Sequence, residues 1–311
     1  MRRESAKSNQ MGTADRHLQP PAVEFRNVSL SFDELQVLDN VSFKLGRGEM
    51  VFLTGVSGSG KSVLLHIAIG LLQPDEGQVF VEGREIKTLD ETELLAIRGG
   101  RMGMVFQSDS LFSGLSVYDN AAFRLVEHGV TAEKTDAAVR EVLRFVGLEN
   151  DAEKFPAELS GGMRRRLEIA RAVIGWPSIM FFDEPTQSLD PITATQIMNL
   201  AIRARDVFGM SSIYVTKRLD EFSYLASHTA AVRNDGPVTI SKVSRAITPP
   251  RTRILVLDSG RIVFAGSVAE FETSSLSVVT RLTQADNGTV FSDYNPPDPW
   301  DKKRKPREAI L

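Results

Sequence analysis

The octapeptide Gly55-Val56-Ser57-Gly58-Ser59-Gly60-Lys61-Ser62 constrains this chain more than any other stretch, because it fits G-x-x-x-x-G-K-[ST]. It follows an apolar run, residues 50–53, and precedes a helix-like one beginning at Val63 and ending at residue 72. A strand that turns on glycines into a helix aims successive backbone N–H groups, and the helix's positive end, at an anion. A nucleotide phosphate fits that cradle. Lys61 is expected to reach the β- and γ-phosphates, and the Ser62 hydroxyl to ligate Mg²⁺. Taken alone, the motif also fits a plain glycine-rich turn.

The surrounding pattern tells what such a loop is built into. Fully apolar runs recur at 104–106, 179–182 and 213–215, separated by helical segments. That alternation predicts an α/β fold whose parallel sheet is buried on both faces. Upstream, Val23 and Phe25, then Val28, Leu30 and Phe32, alternate in two sets broken at Arg26-Asn27, as half-buried strands do. Residues 107–176 read as mostly helical, including a helix from Thr131, its expected N-cap, to residue 146. Residues 254–257 and 261–264 flank Asp258-Ser259-Gly260, a hairpin with an expected three-residue turn.

At 311 residues and 42% hydrophobic, the chain holds enough apolar material for a large core. A net charge of −3 argues against nonspecific polyanion binding, so nucleic acid is not an expected partner. With no cysteine, disulfides and thiolate metal sites are excluded. The longest apolar run is interrupted by His66 and falls short of a membrane span. Met1-Arg2-Arg3-Glu4-Ser5 lacks the apolar stretch of a secretory signal.

Two further clusters carry chemistry. The run 179–182 ends in Asp183-Glu184. Asp183 stands where a phosphate-loop enzyme holds magnesium, and Glu184 where a base deprotonates an attacking water. A strand ending in a solvated acidic turn is the plainer account. Leu159-Ser160-Gly161-Gly162-Met163 precedes a helix with apolar positions Met163, Leu167, Ala170 and Ile174. Ser160 is a good N-cap, and the two glycines leave the first N–H groups open to an anion.

Together these residues resemble the nucleotide-binding subunit of ATP-binding cassette (ABC) transporters, over residues 22 to about 271. The resemblance implies a RecA-like parallel-sheet core, an N-terminal antiparallel β subdomain and an inserted helical subdomain at about 108–176. It identifies Gln107 as the Q-loop glutamine, which joins Ser62 and Asp183 around Mg²⁺. Leu159 to Met163 are the signature, and Ser188-Leu189-Asp190 the D-loop. Phe32 takes the place of the aromatic that stacks on adenine. Nucleotide contacts are thereby implied for Phe32, for Gly55 through Val63, for Ser160, Gly161, Gly162 and Met163, and for Asp190. The family also implies a twofold pair of copies, each ATP lying between one phosphate loop and the other copy's signature, with Glu184 releasing the pair by hydrolysis. Its members work as peripheral subunits on the cytoplasmic face of the inner membrane, docked on a membrane permease.

Two departures are visible. Met163 replaces the usual glutamine, and Lys217 replaces the histidine that touches the γ-phosphate after the strand 212–215. Lysine still supplies a donor and a charge, so slow hydrolysis is expected. His17, His66, His128 and His228 all lie elsewhere.

Met163-Arg164-Arg165-Arg166 with Asp190-Pro191-Ile192-Thr193 is similar to a narrower branch, the Mla- and Mce-type ATPases that move lipids between membranes, a plastid lipid importer among them. This makes lipid transport, with an MCE-domain partner, the leading expectation. A small polar-solute importer is the alternative, and an ATP-gated clamp with little turnover a third. A soluble cassette protein of translation or DNA repair is disfavoured, since those carry two cassettes or a long coiled coil. Leu111, Phe112, Leu115 and Val117 are candidate lining for the permease groove, or else core of the helical subdomain. Residues 1–21 read as a disordered leader, 233–252 as an inserted hairpin, and 272–311 as a tail with Tyr294, Trp300 and a basic cluster at 302–307. That tail is a candidate wrap around the neighbouring copy or contact for anionic lipid, or else simply solvated.

Overall fold

A computed structural model of the chain describes residues 19–232, 238–243, 252–277, 279 and 282. It begins with β1 (Val23–Phe32), β2 (Leu35–Leu45), β3 (Met50–Thr54), α1 (Lys61–Ala68), β4 (Glu76–Val81) and β5 (Arg84–Glu85). Next come α2 (Glu91–Arg101), β6 (Met102–Val105), α3 (Val117–Glu127), α4 (Ala132–Val146) and α5 (Gly161–Val173). β7 (Ile179–Asp183), α6 (Pro191–Asp206), β8 (Ser211–Val215), α7 (Leu219–Ser227) and β9 (His228–Val232) follow. The described elements end with β10 (Val238–Lys242), β11 (Thr252–Asp258), β12 (Arg261–Gly266) and α8 (Val268–Glu272).

The apolar runs form the expected sheet. Its order is β12-β11-β3-β8-β7-β6, parallel except for the antiparallel edge strand β12. Every residue of β3, β7 and β8 is buried. Met50 and Phe52 join a core with the helical segment, while Val51 and Leu53 join one with α1 and the antiparallel sheet β2-β1-β4-β5. Two buried faces remove the polar half of the strand pattern, so the runs read as continuously apolar. The break at Arg26-Asn27 is a bulge within one strand: the β1 register shifts between Phe25 and Val28, with Asn27 at φ 50°. The slip keeps Val23, Phe25, Val28 and Leu30 all buried, where strict alternation would turn the second set outward.

Several expectations change. The hairpin β11–β12 turns on two residues, since Asp258 pairs with Arg261 and leaves Ser259 (φ 48°) and Gly260 (φ 76°) as a type I′-like turn. The extra residue sits instead as a bulge inside β12, where the register steps between Val256 and Leu257. Thr131 stands at the N-cap of α4 but its side chain makes no capping bond. In the region 233–252, read as an inserted hairpin, the structure describes β10 paired with β9, a pairing that starts at His228 rather than Arg233. Its turn, and Pro249-Pro250, lie outside the described residues. At the C-terminal end packing outruns the expected boundary at 271: Val279 and Leu282 are buried in the larger core. Tyr294, Trp300 and the 302–307 cluster lie outside the described residues, as do residues 1–18 of the leader.

A candidate nucleotide site at the ends of three parallel strands

Register fixes where the site is. Leu53 pairs with Val215, and Val215 with Asp183, so β3, β8 and β7 finish level with one another. The loops that follow, starting at Gly55, Thr216 and Glu184, therefore leave from the same end of the sheet. Loops at the carboxyl ends of parallel strands are where open α/β sheets bind ligands.

The glycine-rich loop Gly55 to Gly60 runs from β3 into α1. A Cβ on Gly55 (φ 147°) would collide with the Leu257 carbonyl, and Gly60 (φ 99°) lies against Leu38 and Val37. Only glycine fits at those two places. Lys61 is buried, and its ammonium donates to the carbonyls of Gly55 at 2.9 Å and Val56 at 2.8 Å. Burial, and then repulsion from Lys217, pulls its pKa below the usual lysine value.

Asp183 ends β7 almost fully buried, and burial pushes its carboxyl up. The Ser62 hydroxyl faces the carboxylate and offsets part of that rise, while Oδ1 is buried with no hydrogen-bond partner among the described residues. A buried carboxylate oxygen left over beside a serine hydroxyl is a hard, anionic donor set of the kind Mg²⁺ takes. The residues present therefore fit a magnesium ion, held by Ser62 and Asp183.

Glu184 sits in the left-handed region at φ 46°, where a non-glycine residue is strained. Its N–H donates to Val215 O at 3.0 Å, which locks the turn to the end of β8. Lys217 Nζ lies 2.8 Å from Glu184 Oε1. Gln107, exposed after β6, donates through Nε2 to Gln187 Oε1 at 3.0 Å. The structure thus gathers Gly55 to Ser62, Asp183, Glu184 and Lys217 at one place, with Gln107 bonded to the loop that carries Glu184. Phe32 is 45% exposed at the end of β1, its ring available to a flat partner.

Ser160 to Met163 lie apart: among the described residues no hydrogen bond links them to the phosphate loop. Ser160 Oγ accepts from Met163 N–H at 3.2 Å, and the N-terminal end of α5 is exposed at Ser160 and Gly161. A Cβ on Gly162 would collide with the Thr193 side chain, so α5 leans on the start of α6. Asp190 caps that helix, accepting from Ile192 and Thr193 N–H. Sequence reasoning missed how α5 holds the segment after β6. Arg165 donates to the carbonyls of Phe106 at 2.7 Å and Gln107 at 3.2 Å and pairs with Glu168, which accepts from Ser110 N–H.

A groove of about 420 Å³ opens between the helical segment and the core, lined by Leu71, Leu95, Arg98, Phe106 and Phe123 among others. Of the four residues expected to line it, Val117 is fully buried and Leu111 packs on the core. Phe112 stays exposed, its ring 4.5 Å from Phe123 at the groove's wall, and Leu115 is half-buried outside the lining. No described helix is long and apolar enough to cross a membrane.

Comparison with known proteins matches residues 38–187 to the ABC transporter family. The chain is 36% identical over 237 residues to the methionine import ATP-binding protein MetN of Carboxydothermus hydrogenoformans, covering 76% of this chain and 63% of that one. Over 270 residues it is 36% identical to the chloroplastic protein trigalactosyldiacylglycerol 3 of Arabidopsis thaliana, covering 84% and 72%. The dimeric bacterial ABC transporter cassette MJ0796 superposes with a TM-score of 0.66 at 27% identity, over 79% of this chain and 98% of that one. The same cassette has a dimeric post-hydrolysis state bound to ADP and Pi, at TM-score 0.65 and 28% identity.

Proposed function

The chain belongs to the ABC transporter family of ATP-binding proteins, and we propose that it is the subunit that binds and hydrolyses ATP to energise a membrane importer of a small polar solute. The observation that carries the ATP reading is the buried Asp183, its free oxygen beside Ser62 and under the phosphate loop, with Glu184 next in sequence. The solute reading rests on relatives named as methionine import proteins, which favour an amino acid of that class over lipid.

In this reading the N–H groups of Gly55 to Ser62, with Lys61, orient the phosphates. Lys61 leaves the Gly55 and Val56 carbonyls to do so. Ser62, Asp183 and Gln107 are the residues that would hold magnesium, which neutralises charge on the β- and γ-phosphate oxygens. Glu184 takes the proton of the attacking water. A second copy supplies Ser160 to Met163 to the γ-phosphate from the exposed end of α5. The permease docks a helix in the groove lined by Leu71, Leu95 and Phe123, and Arg165 passes movement between the segment at Gln107 and α5. Association with the membrane is then peripheral, through that permease.

Lipid transport with an MCE-domain partner is kept as a second reading. The Arabidopsis alignment spans more of this chain than the MetN one, 84% against 76%. Purification of tagged Glu184→Gln protein from its native membranes with ATP separates the two. A permease with a solute-binding protein supports the first, and a permease with an MCE-domain protein and phospholipid replaces it with the second. In the assembled complex the same substitution should slow ATP hydrolysis by roughly 10²–10⁴-fold, as loss of a general base does. An unchanged rate would favour the ATP-gated clamp.

A further inference from the structure

On the reading that this site takes ATP, Lys217 stands in the way of the chemistry as the chain is found here. Its ammonium lies 2.8 Å from the carboxylate expected to accept the water's proton. A carboxylate oxygen held by a lysine is not open to a water. Yet the backbone on both sides is fixed. Glu221 of α7, fully buried, accepts from the Thr186 hydroxyl and from Tyr214 Oη at 3.3 Å, and lies 3.6 Å from the Arg218 guanidinium. Thr186 follows Glu184 by two residues and Arg218 follows Lys217 by one, so one carboxylate ties together the two loops that carry the pair. Thr216 Oγ1 accepts from Arg218 N–H at 3.1 Å, closing the turn around Lys217.

What is left to move is the lysine stem. The Lys217 side chain is 39% exposed, whereas that of Glu184 is 11% exposed. Lys217 is also close enough to the phosphate lysine, Lys61, to repel it. A γ-phosphate in this loop would compete with Glu184 for the same cation at short range.

We propose that Lys217 is an exchangeable counter-ion that holds Glu184 until a γ-phosphate takes it over. With a triphosphate bound, the ammonium swings onto the γ-phosphate and Glu184 is released to the water. A diphosphate offers nothing to swing to, and the pair stays closed. Lys217 thereby senses the third phosphate as well as binding it. Part of the binding energy of ATP is spent opening the pair, so ATP binding and the Glu184 charge are coupled through Lys217.

A double-mutant cycle on the full chain tests this, read as affinity for AMP-PNP and for ADP, each with Mg²⁺, in wild type, Glu184→Gln, Lys217→Met and the double variant. Glu184→Gln should bind AMP-PNP about fivefold tighter or more, with ADP affinity unchanged. In the Lys217→Met background the same change should shift AMP-PNP affinity by less than about twofold. Lys217→Gln provides the same arm with a polar, uncharged side chain should the methionine variant fail to fold. Equal tightening with and without Lys217 overturns the exchange, as does equal tightening for AMP-PNP and ADP. A wild-type chain that binds neither nucleotide overturns the ATP reading instead.

Discussion

Glu221 shows what a single buried residue does here. Burial raises its carboxyl above the usual glutamate value, while bonds from Thr186 and Thr216 and the nearby Arg218 pull it back only in part. A folded-state value above the unfolded one means the native state holds the extra proton. The residue's contribution is then fully present below the unfolded value and is lost as pH rises through the folded one. Glu221→Gln removes that titration. The stability advantage of wild type over this variant should therefore shrink as pH rises from acid toward neutral, measured by urea unfolding at several pH values. A constant difference would mean that Glu221 does not titrate in that range.

Among the elements, α5 does more than present its exposed N-terminal end. Arg165 ties it to the carbonyls of Phe106 and Gln107, and Arg171 donates to the Ser110 carbonyl. Glu168 is buried against Arg165, and burial raises its carboxyl. Arg165→Ala strips Glu168 of its counter-charge and frees the segment around Gln107. Breaking a buried pair by removing one partner typically costs about 3–5 kcal/mol, and Arg165's partial exposure puts the expectation at the low end. Adding Glu168→Gln should recover a good part of the loss, as read in denaturant midpoints. No recovery in the double variant would show that the carbonyl bonds, rather than the ion pair, carry the stability.

At the scale of the whole molecule, the core extends beyond the cassette's expected end. Val279 and Leu282 are 2% and 9% exposed in the cluster that also holds Phe222 and Phe271. Truncation after residue 272 strips both side chains from that core, an expected loss of about 3 kcal/mol from apolar burial. Truncation after residue 282 keeps both side chains and should stay more stable than truncation after 272 by about that amount, as read in denaturant midpoints. Equal stability of the two truncations would show that Val279 and Leu282 pack without holding the core.

The order of short motifs was legible because each depends on local backbone chemistry. Glycines at 55 and 60 accept conformations closed to other residues, and strands buried on both faces read as apolar runs. Hence the parallel sheet, the phosphate loop and the Asp183-Glu184 terminus were all readable in one dimension. Even the break at Arg26-Asn27 was visible, as a slip in a period of two. Only the tertiary structure decided which distant residues meet. Lys217 faces Glu184, Gln107 faces Gln187, and Glu221 joins Thr186 to Tyr214, because parallel register brings three strand ends level. It also buried Val117 and left Phe123 at the groove, a choice of helix face that depends on what packs opposite. Spacing along a chain sets conformation, but contact across a sheet is set by register, and register belongs to the fold.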